Sequence, residues 1–159
     1  MIQKLCFSFF MFMLLVLMAC SEKYVFEKKH DLEKASWDQE NLLNYAFNIA
    51  DTSKIYHLIL ELEHSTDYLY QNCYLKIHTQ FPNGEKSSQV LSIDFADGIG
   101  RWHGDCNKTT CTLLIDLQKK IYFNQLGNHS IVLEQYMRKN PLEGISGIAL
   151  KLKESEIKR

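Results

Sequence analysis

Apolar residues recur with a period of two through most of this chain, and that alternation restricts its fold more than any other feature. In Tyr56-His57-Leu58-Ile59-Leu60-Glu61-Leu62-Glu63, one face carries Tyr56, Leu58, Leu60 and Leu62, and the other carries His57, Ile59, Glu61 and Glu63. Successive strand residues point to opposite faces, so such a segment buries one side and wets the other. The same rhythm places Cys73, Leu75 and Ile77 opposite Tyr74, Lys76 and His78. It sets Leu91, Ile93 and Phe95 against Ser92 and Asp94, and Ile131 and Leu133 against Val132 and Glu134. Near the end, Ile148, Leu150 and Leu152 alternate with Ala149, Lys151 and Lys153. Leu43–Ala50, Cys111–Asp116 and Lys120–Phe123 are weaker strand candidates.

The turns agree with this pattern. Pro82-Asn83-Gly84 sits between two strand patterns, and Asn-Gly readily supplies the positive φ that a hairpin needs. Asp97-Gly98 and Leu126-Gly127-Asn128 mark further turns. About eight short strands with turns between them specify an all-β fold, an antiparallel β-sandwich. Helical periodicity is confined to one turn over Ser36–Leu42, with Ser36 as its N-cap.

A different logic governs the N-terminus. After Met1-Ile2-Gln3-Lys4 comes an apolar run of 14 residues, Cys6 to Ala19, with Ser8 as its one polar member. A helix over that run is about 21 Å long, short of a hydrocarbon core of about 30 Å and suited to a signal-peptide core. It closes on Leu17-Met18-Ala19-Cys20, which resembles a bacterial lipobox. In that chemistry the thiol of Cys20 receives diacylglycerol and becomes the new N-terminus; one acyl chain alone holds reversibly, and two or three hold durably. The expected organisation is a lipoprotein signal peptide over 1–19, an acylated N-terminus and tether over 20–36, and a β-sandwich domain over 37–159. Tyr24, Val25 and Phe26 interrupt the polar tether as a short edge strand.

The mature chain of 140 residues holds 17 basic and 19 acidic residues, so its net charge is −2. No basic excess argues for nucleic acid. Cleavage and acylation leave Cys73, Cys106 and Cys111. Export allows disulfides to persist. Cys106 and Cys111 lie close enough to pair across Asn107–Thr110, in competition with two free thiols; Cys73 sits in a strand pattern as a small core residue.

Chemistry-bearing constellations are few. His103, Cys106 and Cys111 do not match a common structural zinc spacing and lack a fourth ligand. Glu61 and Glu63 share one strand face, where solvated carboxylates are far commoner than an acid–base couple. Gly100-Arg101-Trp102-His103-Gly104 offers Arg101 and Trp102 as interface residue types, against a reading in which Trp102 plugs one end of the sandwich and Arg101 covers it. The connection from Tyr136 to Gly144 offers Arg138, Pro141 and Leu142 to a partner, or is a plain Pro/Gly loop. Rings at Tyr68, Tyr70, Tyr74, Trp102 and Tyr122 allow an alternative, an envelope carbohydrate-binding sandwich.

Four stretches together resemble a known family. They are Tyr56 to Asn72 with its Tyr-x-Tyr-x-Asn end, Phe81-Pro82-Asn83-Gly84, Gly100-Arg101-Trp102-His103-Gly104, and Gln135-Tyr136-Met137-Arg138-Lys139-Asn140-Pro141-Leu142-Glu143-Gly144-Ile145. In order and spacing the chain from Trp37 to Leu152 resembles the GldH family of gliding-motility lipoproteins. The resemblance implies a membrane-anchored accessory component of the gliding machinery, linked to type IX secretion, with other envelope lipoproteins as partners. It implies no catalytic residues, no small-molecule substrate and no cofactor beyond the acyl lipid on Cys20. The expected location is the outer membrane facing the periplasm, with the outer surface as the alternative. Cys106 and Cys111 depart from the family pattern, where a glycine- and serine-rich turn is expected.

Overall fold

The computed structural model describes residues 24–158. The signal peptide, Cys20 and the first residues after it lie outside that range. The described residues form eleven strands. Eight are long: β1 (Tyr24–Asp31), β3 (Leu43–Ile49), β4 (Lys54–Ser65), β5 (Asn72–Gln80), β6 (Lys86–Asp94), β8 (Thr110–Ile121), β9 (Gly127–Gln135) and β11 (Ile145–Lys158). Three are two-residue pieces: β2 (Ser36–Trp37), β7 (Asp105–Cys106) and β10 (Leu142–Glu143).

Two antiparallel sheets pack face to face, ordered β1-β11-β4-β8-β7 and β3-β9-β5-β6. The alternation read from the sequence decides which residues meet between them. On β4, Tyr56, Leu58, Leu60 and Leu62 are buried, and His64 continues their face. Leu43, Tyr45, Phe47 and Ile49 do the same on β3, with Asn44, Ala46 and Asn48 exposed. Each fully buried Leu or Ile contributes about 1.5–3 kcal/mol, so this shared face supplies most of the driving force. The Tyr45 hydroxyl, buried in the core, donates to the Ile148 carbonyl oxygen at 3.0 Å, and burial raises its pKa.

β11 departs from simple alternation because both of its faces are covered. Ile148, Leu150 and Leu152 face the core, while Ala149 is 1% and Lys151 8% exposed on the other side. There Lys151 Nζ meets Glu61 at 2.8 Å and Glu27 at 3.0 Å, and Lys29 meets Glu63 at 2.9 Å. Glu61 and Glu63 therefore belong to a cross-strand ion ladder.

Two boundaries differ from the sequence reading. The edge strand expected at Tyr24–Phe26 is present but runs on to Asp31, so the folded body begins at Tyr24, not Trp37: β1 pairs along β11 from Tyr24↔Lys153 to Asp31↔Gly147. The polar side chains of this stretch fit an edge strand, where charge blunts unwanted pairing. Ser36 does not cap a helix either: Ser36 and Trp37 pair with Glu143 and Leu142, and a 3₁₀ turn precedes them at Glu33–Ala35. Trp37 is fully buried, with Nε1–H donating to the Asn41 carbonyl at 2.9 Å.

β1 runs from one end of the sandwich to the other. The end where it enters carries the β3–β4 turn, the β5–β6 hairpin and the β8–β9 connection. Pro82 and Gly127 approach each other there, 3.6 Å from a Cβ built on Gly127. The opposite end gathers the β4–β5, β6–β7, β7–β8 and β9–β10 connections.

Candidate functional site

Every stretch that carries the family resemblance, apart from the Phe81–Gly84 hairpin, reaches the end of the sandwich remote from the entry of β1. The connections there are tied together by backbone. Phe95 N–H and Ala96 N–H both donate to the Gln71 carbonyl, at 2.7 and 3.2 Å. Ser65 N–H donates to Gly144 at 2.7 Å, and Thr66 N–H to Thr109 at 3.0 Å.

Trp102 lies half-buried in this cap. Its backbone bridges Ala96, and its indole meets the His64 imidazole edge-on at 4.8 Å. His64 also stacks on Phe95 at 4.7 Å. It is fully buried, its Nδ1–H donates to the Ser65 carbonyl at 2.9 Å, and Nε2 has no partner. Burial lowers its pKa, so the ring is held neutral.

Arg101 faces outward with its side chain 78% exposed. Its Nε–H donates to Asp97 Oδ2 at 2.8 Å and its backbone N–H to Asp97 Oδ1 at 2.9 Å. The backbone N–H of Arg101, then its guanidinium, holds the Asp97 carboxyl below the usual range. One carboxylate thus shapes the whole 97–101 turn. Leu69 and Ile99, from two neighbouring connections, are 86% and 79% exposed. Sequence patterning gave no sign of them, because each sits in a turn outside any alternation.

The 136–141 connection separates into exposed and buried parts. Arg138 and Pro141 are exposed, and the Asn140–Pro141 bond is cis. Leu142 is fully buried against Trp37 on β2, so it cannot present itself to a partner. Its burial follows from the pairing of β10 with β2. The loop is held from below by Gln135, a buried side chain the sequence reading passed over: Oε1 accepts the Met137 N–H at 2.8 Å and Nε2 donates to the Lys139 carbonyl at 3.2 Å. Gln39 Nε2 donates to the Met137 carbonyl at 2.8 Å.

Cys106 and Cys111 are joined, with Cα atoms 4.0 Å apart at directly opposed positions of the β7–β8 hairpin. Their thiolates are thereby withdrawn from metal chemistry, and His103 stands exposed beside them. Cys73 is buried and free, and burial pushes its thiol up to about 12.

The five rings of the glycan reading do not form a platform. Tyr68 is buried, Tyr70 and Trp102 are half-buried, and Tyr74 and Tyr122 lie exposed on a sheet face and in the β8–β9 connection. Glu61 and Glu63 are each neutralised by a lysine at the ion ladder. Among the described residues no group of three or more His, Cys, Asp or Glu side chains is placed to hold a metal. What the remote end offers is a hydrogen-bonded surface from which Arg101 and Arg138 and the apolar side chains of Leu69 and Ile99 project.

The family described as GldH lipoprotein matches residues 24–152. The chain is 25% identical to a protein named gliding motility lipoprotein GldH homolog from Christiangramia forsetii, over 92% of this chain and 94% of that one. It is 20% identical to the gliding motility lipoprotein GldH of Flavobacterium johnsoniae, over 89% of this chain and 92% of that one. Among solved structures, the coat protein of Tobacco streak virus aligns over 86% of this chain and 92% of its own, at 11% identity and a TM-score of 0.26, too low to bear on the fold.

Proposed function

This chain belongs to the GldH lipoprotein family, and on that premise we propose that it is a non-enzymatic, membrane-anchored assembly component of the gliding machinery and its associated type IX secretion system. Cys20 carries the acyl lipid, and the body stands in the outer membrane facing the periplasm. The partners are other gliding or secretion lipoproteins of the envelope.

The observation that supports this reading most is the polarity of the sandwich. β1 enters at one end, and Arg101, Leu69 and Ile99 project from the other. An anchor before β1 turns that remote end away from the bilayer, toward proteins. Arginine is one of the residue types that dominate interface energies, and the exposed Leu69 and Ile99 beside Arg101 supply apolar area that docking would remove from water.

Deletion of the gene tests it. The abundance of other gliding or secretion components is expected to fall, and secretion with it; normal levels of all of them with intact secretion overturn the reading. Cys20→Ala is expected to leave the precursor unprocessed and to block palmitate labelling.

A further inference from the structure

The end of the sandwich where β1 enters holds a cleft of about 720 Å³ between the two sheets. That volume lies within the range of small-ligand sites. It exists because two edges fail to close. β7 pairs only with Cys111 and Thr112, so the rest of β8 has no strand beyond it among the described residues. The facing edge strand, β6, turns Leu91 inward, then Gln89 and Ser87, as it approaches this end.

The walls are apolar: Ile77 and Leu91 on one sheet, Leu117 and Ile121 on the other, with Phe47 and Leu58 deeper. Ser87, Gln89 and Gln118 supply a polar rim. His129 closes the inner end, its ring parallel to Phe47 at 5.8 Å and edge-on to Phe123 at 4.7 Å. Its Nδ1 lies 3.2 Å from the Gly127 carbonyl oxygen, and burial lowers its pKa, so no charge stands in the interior. Long apolar walls under a polar rim suit a single hydrocarbon chain with a polar head outside. Glu85 lines the mouth and Lys86 and Lys120 stand exposed beside the lining residues, so the rim carries both signs of charge and suits a zwitterionic head.

The chain outside the structure says what lies at the mouth. Three residues separate Cys20 from Tyr24. Fully extended, that link spans about 14 Å. An acylated Cys20 therefore holds this end, and no other, against the bilayer. The lipid on Cys20 itself is less well placed, because β1 is the far edge of its sheet and β11 and β4 lie between it and β8. We propose that the cleft takes one acyl chain of a bilayer phospholipid, so that the body is clamped to the membrane at a second point. This rests on the anchor at Cys20 proposed above.

The test uses the full-length lipidated protein in phosphatidylethanolamine/phosphatidylglycerol vesicles containing phosphatidylethanolamine with a diazirine near one acyl terminus. Vesicle flotation is read first. After irradiation, crosslinks are expected in peptides covering residues 77–91 and 115–125. Leu117→Trp, which fills the cleft, is expected to cut their yield about tenfold, and Ser87→Trp, which narrows the mouth from an exposed position, to cut it too. Leu114→Trp, on the outer face of β8, is expected to leave it unchanged. In a second arm the diazirine fatty acid is incorporated in cells onto Cys20, and label is expected outside these peptides.

Crosslinks at the remote end, no crosslinks, or a yield that both Trp variants leave intact overturn the proposal. Label from the Cys20 chain in the cleft peptides overturns it in favour of the protein's own anchor. Failure to float removes the anchor at Cys20 and this proposal together, whereas floating protein without cleft crosslinks removes only this one.

Discussion

The buried side-chain amide of Gln135 holds the backbone of Met137, its Oε1 accepting the Met137 N–H at 2.8 Å. Through Nε2 it also reaches the Lys139 carbonyl and Asn140 Oδ1. A loop that passes through a cis peptide to Pro141 is thus fixed by side chains, Gln135 from below and Gln39 from outside, rather than by a strand partner. Gln135→Leu preserves the volume but leaves the partly buried Met137 N–H and Lys139 carbonyl without this partner. It is expected to cost about 1–3 kcal/mol, the penalty of unsatisfied buried polar atoms, in urea unfolding followed by tryptophan fluorescence. Gln39→Ala, which loses one hydrogen bond at the loop's outer side, is expected to cost about 1 kcal/mol.

The Cys106–Cys111 bridge closes a very short loop, with a sequence separation of 5. Loop-closure entropy then accounts for about 2 kcal/mol. The double variant Cys106→Ser/Cys111→Ala is expected to lower stability by that amount, and reduction of the native protein to do the same. Cys73 provides the contrast. Buried, with its thiol pushed up to about 12, it is expected to resist iodoacetamide until the protein unfolds. Rapid alkylation of Cys73 in the folded state contradicts its placement in the core.

Stability is expected to fall on mild acidification. His64 and His129 are both held neutral by burial, with pKa values lowered from 6.5. The unfolded chain then binds protons first, so the stability these rings contribute is complete above about pH 6.5 and is lost as pH falls toward their folded values. Asp97 does not confuse the window: its pKa is lowered from 3.8, so its contribution persists until strongly acid pH. The urea midpoint is expected to drop between pH 7.5 and 5.5. His64→Phe, which keeps the stack on Phe95, is expected to flatten that drop, whatever it does to the midpoint at pH 7.5.

Gly104 and Gly98 stand in adjacent turns and make opposite predictions. Gly104 has φ +82, and a Cβ there runs into the Thr112 carbonyl oxygen, on β8. Gly104→Ala combines left-handed strain with a backbone collision and is expected to cost at least about 2–3 kcal/mol. Nothing lies within 4 Å of a Cβ at Gly98, and Gly98→Ala is expected to stay within about 0.5 kcal/mol. Thermal unfolding of the two variants side by side reads the difference.

The core strands were legible because one face of each is buried, which forces period two into the sequence; β4, β5 and β9 show it plainly, and β3, the weaker candidate at Leu43–Ala50, buries its alternate residues in the same way. The edge strand read at Tyr24–Phe26 is β1, but its continuation to Asp31 looked like tether because an edge strand at a charged ladder needs little apolar surface: Lys28, Lys29 and Asp31 look like linker until Glu63 and β11 are placed beside them. Leu142 was misread for the opposite reason. A two-residue strand carries no period, so only its partner Trp37 reveals that it is core. The cleft left no sequence signal, since it arises from the mutual offset of two sheet edges. Gln135 and His64 were hidden by their polarity, though each continues the buried alternation of its strand.

Leu69 and Ile99 give the last prediction. Both are apolar, largely exposed and carried on connections that the Gln71 carbonyl ties together. Neither contributes to the core, so Leu69→Asp and Ile99→Asp are each expected to change stability by less than about 0.5 kcal/mol. If the remote end docks on a protein, burying these side chains contributes to binding and a buried aspartate opposes it. Leu69→Asp/Ile99→Asp is then expected to accumulate normally in the membrane, to lose its partners in crosslinked pull-downs, and to reduce other gliding components as a deletion does. Arg101→Glu is expected to have the same direction of effect, because it places a second acid beside Asp97. A double variant that retains its partners and their abundance would show that the docking surface lies elsewhere on the sandwich.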